Sequence, residues 1–162
     1  MSSTYLIALG SNRRHHLYGP PEGTLRAAME EIAALGMVAA RSSIAQTAPL
    51  GPARRRFANA ALVLESELAP PSLLAALKRM EREFGRRAAQ RWADRVLDCD
   101  IILWSGGAWR SPGLVIPHAE YRRRSFVLGP AAAIAPDWRD PATGLSLAQS
   151  NARLTRARPL PR

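Results

Sequence analysis

The chain holds one cysteine, Cys99, and one lysine, Lys78. A single cysteine excludes an internal disulfide and a thiolate metal cluster, and it fits a reducing compartment. No apolar run approaches the ~20 residues that a membrane span requires, and residues 1–9 lack the basic segment and apolar length of a signal peptide. A cytoplasmic location is the expectation. With lysine nearly absent, positive charge falls to arginine: all but one of the 23 Lys and Arg residues are Arg, against 13 acidic residues, for a net charge of +10. That balance invites a polyanionic partner, whether nucleic acid, a membrane surface or a phosphate-rich small molecule, and does not choose among them. Skewed coding composition gives the same excess, so each arginine has to be judged by position. A length of 162 residues suits one domain.

Residues 5–9 read as a short buried strand that ends on the turn-forming Gly10, Ser11 and Asn12. After Pro20 and Pro21, the apolar residues Leu25, Ala28, Met29, Ile32 and Leu35 fall at helical spacing, with Gly36 as the stop. Residues 37–46 leave room for a strand, and residues 59–64 for another, with the loop 48–56 between them. Leu73, Leu74, Leu77, Met80 and Phe84 then mark a second amphipathic helix ending at Gly85, and residues 96–103 form a further strand. The order strand, helix, strand, strand, helix, strand predicts an α+β, ferredoxin-like βαββαβ core with both helices on one face of the sheet. The remainder of the chain reads as a C-terminal appendage with a short helix from Arg124. Residues 1–150 make one domain, and the Arg- and Pro-rich residues 151–162 a basic, loosely held tail.

Asp98 and Asp100 flank Cys99 on the last core strand, so the two-residue period sends both carboxylates to one face and Leu97, Cys99 and Ile101 to the other. Two carboxylates sharing one patch repel unless a cation sits between them. Mg2+ suits them, because it takes oxygen from one or two carboxylates and the rest from phosphates and water. The competing account is ion pairing with Arg91 or Arg95, and an Asp-x-Asp motif alone does not exclude it. The preceding loop adds Arg86, Arg87, Arg91, Trp92 and Arg95. Guanidinium groups suit phosphate oxygens, and the indole suits a flat ring.

Residues 91–102, RWADRVLDCDII, resemble the signature of the 6-hydroxymethyl-7,8-dihydropterin pyrophosphokinase family. Further matches stand in the family's order: Gly10-Ser11-Asn12, residues 47–52 (TAPLGP), residues 57–61 (FANAA), and Pro117-His118 with residues 124–128 (RSFVL) after it. The matched span runs from Leu6 to about Pro136, and the family's ferredoxin-like core agrees with the elements read from periodicity.

The resemblance implies transfer of pyrophosphate from ATP to the pterin hydroxymethyl group, as in folate biosynthesis. It implies two Mg2+ ions on Asp98 and Asp100, with Arg86 and Arg95 completing the catalytic set. Nucleotide contacts fall to Arg86, Arg91, Trp92, Arg95, His118 and Arg124, with Leu74 and Ile101 enclosing the nucleoside. For the pterin it implies Phe57 and Phe126 on the ring faces, Asn59 and Gly10 with the backbone of Thr47, Ala48 and Leu50 at its edge, and Trp92 closing over it. The expected partners are these small molecules, with the chain a monomer and no membrane involved.

Departures from the family pattern fall in loops, where function varies. Asp94 adds an anion beside Arg95, Ala88 stands near the place of a loop arginine, and the loop after Gly51 is one residue short and carries Arg54, Arg55 and Arg56. Cys99 between the aspartates is expected to be a buried, inert hydrophobe. His15 and His16 are read as surface loop, and Ala119 and Glu120 come after His118. Two other readings stay open: a relative that binds or processes a different pterin, and an RNA-binding sheet. The second is argued against by Asn59, Ala61 and two aspartates where base-stacking aromatics would stand.

Overall fold

The computed structural model describes residues 1–47, 57–87 and 96–156. Strand β1 (Ser3–Ser11) leads to helix α1 (Pro21–Ile32), followed by strands β2 (Met37–Arg41), β3 (Ala45–Thr47) and β4 (Phe57–Ser66). Helix α2 (Pro70–Arg87) and strand β5 (Asp98–Trp104) complete the core. The sheet order is β2-β4-β1-β5, every neighbouring pair is antiparallel, and β3 joins β4 on the same side as β2. This is the ferredoxin-like arrangement expected from the sequence.

The region expected to hold one strand between α1 and the loop holds two short ones. Ser42 divides them: its N–H donates to the Ala61 carbonyl, while its hydroxyl accepts from the Ala61 N–H at 2.9 Å, so a side chain replaces the next ladder bond. Helix α1 stops at Ile32, and a 3-10 turn, Ala33–Leu35, fills the remaining predicted span. Gly36 is required for close approach, since a Cβ there would stand 2.1 Å from the Glu65 carbonyl oxygen. Helix α2 runs through Gly85 to Arg87, past its predicted stop, because glycine weakens a helix without ending it.

One face of the sheet buries Tyr5, Ile7, Leu9, Leu62, Leu64, Leu97, Cys99 and Ile101 against Leu25 and Ile32 of α1 and Leu73, Leu77 and Phe84 of α2. The other face is covered too. After a hairpin of strands β6 (Trp109–Ser111) and β7 (Leu114–Ile116), whose Leu114 and Ile116 join the first cluster, come helices α3 (Ser125–Ile134) and α4 (Leu147–Thr155). Val127, Leu128 and Ala131 of α3 and Leu147 of α4 bury Leu6, Ala8, Ala61, Val63, Ile102 and Leu103. The supposed appendage is therefore the second half of the core, worth about 1.5–3 kcal/mol for each large apolar side chain it buries. A bulge explains how the adjacent Ile102 and Leu103 share that face: β1 pairs Leu6 with Leu103 and Ile7 with Ile101, leaving Ile102 as the extra residue.

Residues 151–155, expected in a loose tail, are helical. Ser146 caps α4 by accepting from the Gln149 N–H, and Gln149 answers by accepting from the Ser146 N–H, which fixes the helix start. Residues 157–162 lie outside the described residues. Among the described residues no helix is long and apolar enough to cross a membrane.

Candidate active site

Strand register aligns Asn59 on β4, Gly10 on β1 and Asp98 on β5 in one row across the sheet. Two residues along, Ala61, Ala8 and Asp100 form the next row. Both rows lie on the face that α3 and α4 cover, but Ala61 and Ala8 touch that second core while Asp98 and Asp100 are only half-buried. The helices thus close one end of the face and leave the carboxylates accessible at the other. Small residues opposite the aspartates, Gly10 and Ala8, keep their surroundings open.

Each oxygen of Asp100 faces a cation-forming side chain. Lys78 Nζ lies 3.8 Å from Oδ1, and His118 Nε2 lies 3.8 Å from Oδ2, neither close enough for a hydrogen bond. His118 succeeds the cis Ile116–Pro117 peptide bond, and its own N–H donates to the Ile102 carbonyl at 3.0 Å. Its Nδ1 accepts from the Glu120 N–H at 3.1 Å, so in the neutral ring the proton sits on Nε2, toward Asp100. Glu120, one of the departures from the family pattern, therefore sets the histidine's tautomer through its main chain.

Phe57 stands two residues before Asn59 on the same face of β4 and is 44% exposed. Phe126 opens α3, the helix lying on that face, and is 42% exposed, with the Arg124 guanidinium 5.8 Å from its ring centre. Two phenyl rings this open contrast with Tyr5, Phe84 and Tyr121, all fully buried. Asn59 is itself buried. Arg86 is exposed in the last turn of α2, and Leu74 is half-buried one turn before Lys78.

Of the residues singled out from the sequence, Gly10, Asn59, Asp98, Asp100 and His118 come together, with Phe57 on their face. Ile101 does not join them through its side chain. Strand alternation turns it into the core beside Ile7 and Leu9, so only its main chain borders Asp100. Cys99 is fully buried, and burial pushes its thiol well above the usual range. Thr47 ends β3 opposite Phe57. Ala48, Leu50, Ala88, Arg91, Trp92, Asp94 and Arg95 lie outside the described residues.

His15 departs from the surface-loop expectation: it is buried. Its Nε2 bonds the Phe84 carbonyl at 3.2 Å and its Nδ1 accepts from the Leu17 N–H at 3.0 Å. The ring lies 4.6 Å from that of Tyr18. This histidine joins the β1–α1 loop to the last turn of α2.

Sequence reasoning misses Lys78 and Glu81 as site residues. Lys78 Nζ donates to Glu81 at 2.9 Å and to the Cys99 carbonyl at 3.0 Å, and the Cys99 N–H donates to Glu81 Oε1 at 2.6 Å. Burial works against the ammonium charge, yet Glu81, Asp100 and Asp98 outweigh it and raise the Lys78 pKa. Burial also raises that of Glu81. The available signal is composition and spacing: the chain's only lysine, three residues before a glutamate, interrupting the apolar face of α2.

The arrangement is a ferredoxin-like sheet that presents two carboxylates, an amide, an imidazole and open aromatic rings on one face, chemistry suited to a cation and a flat polar ligand. The family model for 7,8-dihydro-6-hydroxymethylpterin-pyrophosphokinase (HPPK) matches residues 6–136. A 2-amino-4-hydroxy-6-hydroxymethyldihydropteridine pyrophosphokinase of Pseudomonas aeruginosa is 39% identical over 138 residues, covering 83% of this chain and 82% of the relative. One from Synechocystis sp. is 34% identical over 146 residues, covering 89% and 72%. Among solved structures, the Plasmodium falciparum HPPK-DHPS matches with a TM-score of 0.76 at 12% identity, covering 94% of this chain and 45% of that one. This last likeness speaks for the fold alone, and the chain spans less than half of that protein. The chain belongs to the HPPK family.

Proposed function

We propose that this protein transfers the terminal pyrophosphoryl group of ATP to the hydroxymethyl oxygen of 6-hydroxymethyl-7,8-dihydropterin, giving AMP and the pterin diphosphate. The observation that carries this is the placement of Asp98 and Asp100 side by side on one face of β5, opposite Gly10 and Ala8, in a member of this family. Their donor set fits Mg2+. Both are hard oxygen ligands, and among the described residues no group of three or more His, Cys, Asp and Glu side chains forms a metal cage, so phosphates and water would complete the shell. Asp98 and Asp100 would hold two Mg2+ ions, which when bound supply charge neutralisation and activation of the attacking oxygen.

The remaining work belongs to side chains. Asn59 would read the polar edge of the pterin, with the backbone of Thr47, Ala48 and Leu50, while Phe57 and Phe126 would lie against its ring faces. That orientation points the hydroxymethyl oxygen at the β-phosphorus of ATP. The oxygen–phosphorus bond forms, the anhydride bond between the β-phosphorus and the bridging oxygen breaks, and AMP leaves with that oxygen. The hydroxyl proton passes to solvent. Arg86, Arg95 and Arg124, with His118 through its Nε2–H, would hold the phosphate oxygens as charge shifts onto the leaving AMP. Arg91, Trp92 and Leu74 would flank the nucleotide, and Trp92 would close over the pterin.

The experiment is to incubate the protein with ATP, Mg2+ and reduced hydroxymethylpterin and to resolve the nucleotides. AMP appearing in step with pterin diphosphate supports the reading. ADP as product, or ATP consumption that ignores pterin, would sink it.

A further inference from the structure

Among the described residues, strand β5 is an outer strand of the sheet, paired with β1 on one side only. An outer strand carries N–H and C=O groups that point away from its neighbour and need partners. At Cys99 both partners come from one turn of α2. The Cys99 N–H donates to Glu81 Oε1 at 2.6 Å, and the Cys99 carbonyl accepts from Lys78 Nζ at 3.0 Å. A residue on a neighbouring antiparallel strand would exchange the same two bonds with Cys99. Lys78 and Glu81, joined to each other at 2.9 Å, stand in for that strand.

The location of this substitute matters. The Cys99 N–H belongs to the peptide plane just after Asp98, and the Cys99 carbonyl to the plane just before Asp100. Both planes between the two aspartates are therefore pinned, and the fully buried Cys99 side chain holds the residue from a third direction. Glu81 does a second thing. By engaging Lys78 it holds the ammonium 3.8 Å from Asp100 Oδ1, short of direct bonding, which leaves that oxygen open to another cation.

We propose that Lys78 and Glu81 are positioning residues: a side-chain clamp on Cys99 that sets the spacing of Asp98 and Asp100 and keeps Asp100 available to a divalent metal. The proposal rests on the metal role assigned above to the two aspartates. It predicts that a loosened clamp weakens metal binding at Asp98 and Asp100 while pterin binding is left alone.

The test uses Mn2+ alone, titrated into the full chain and followed by paramagnetic broadening of the amide resonances of residues 98–101, together with hydrogen exchange of the Cys99 amide. In Glu81→Leu the Mn2+ affinity should fall by about tenfold or more, as for loss of other residues that orient metal ligands, and the Cys99 amide should exchange at least about tenfold faster. Glu81→Gln keeps an acceptor for that amide, so its exchange should stay near wild type while the released Lys78 still lowers Mn2+ affinity. In turnover, kcat should fall with KM for pterin within about twofold. Mn2+ affinity within twofold of wild type in both variants overturns the proposal. So does a rise in KM for ATP with Mn2+ affinity unchanged, which would make the pair nucleotide ligands. Should Glu81→Leu fail to fold, Glu81→Gln decides by the same Mn2+ titration. A wild-type protein that binds Mn2+ at β5 yet forms no AMP would defeat the proposed reaction and leave the clamp standing.

Discussion

Gly10 and Asn59 face each other across β1 and β4 so closely that a Cβ on Gly10 would stand 3.3 Å from Asn59 Oδ1. The strand geometry at Gly10 requires no unusual backbone angle, so the glycine is explained by the amide beside it. Gly10→Ala would displace Asn59 by a few tenths of an ångström without breaking the ladder. Because Asn59 is assigned to the pterin edge, KM for pterin should rise by about tenfold, the scale of one misplaced methyl group in a pocket, with stability changed by less than about 1 kcal/mol. Steady-state kinetics beside a denaturant titration checks both; a stability loss without a KM change would remove Asn59 from the pocket.

Asp100 sits between Lys78 and His118, with both of its oxygens 3.8 Å from a nitrogen. Asp100→Asn preserves shape and removes the charge a metal needs. Turnover should drop by at least about a hundredfold, the scale for a lost electrostatic stabiliser, while the circular dichroism spectrum stays that of wild type. Retention of more than a tenth of the wild-type kcat would contradict the metal assignment.

The elements that position this site were legible wherever burial imposes a period. Strand alternation at residues 97–101 put the aspartates on one face and Leu97, Cys99 and Ile101 in the core, as the structure has it. The rule does not extend to Leu103, because the bulge at Ile102 turns that residue onto the face of Leu6, and a bulge leaves no mark on apolar patterning. The second core was missed for a related reason: it gathers Leu6, near the start of the chain, and Leu147, near its end, into one buried cluster, and no local period announces that assembly. Lys78 and Glu81 escaped because their bonds to Cys99 depend on α2 lying along the free edge of β5, a tertiary fact. His15 escaped because its partner is a helix-end carbonyl, and every helix end offers such carbonyls.

The His15 ring satisfies the Phe84 carbonyl in the last turn of α2 and the Leu17 N–H in its own loop. His15→Ala would remove both bonds and leave a gap beside Tyr18. The expected cost is about 1–3 kcal/mol for the two hydrogen bonds together. Amides near the end of α2 should exchange faster, and KM for ATP should rise because Arg86 lies two residues beyond Phe84. Exchange rates in α2 that match wild type would show that the loop and helix are not coupled through this ring.

Asp140 is buried and accepts from the Tyr121 hydroxyl, from Arg122 Nε at 2.6 Å and from the Ala142 N–H at 2.8 Å. Burial alone would raise its pKa, but the bonds from Arg122, Tyr121 and Ala142 outweigh it and hold the carboxyl below its usual range. Burial, followed by the bond to Asp140 and its negative charge, raises the pKa of the Tyr121 hydroxyl against the opposing pull of Arg122. A folded pKa below the unfolded value of about 3.9 means that the carboxylate's contribution is complete above that pH. It is lost as pH falls from about 4 through the folded value. Asp140→Asn should therefore lower stability at pH 7 by about 1.5–3 kcal/mol, the scale for a hydrogen bond to a charged group, because Arg122 keeps a third of its side chain in water. It should also flatten the loss of stability below pH 4. Chemical denaturation of both proteins from pH 7 to pH 2.5 reads the two effects together. Parallel curves across the acid range would mean that protonation of Asp140 does not carry the loss of stability below pH 4.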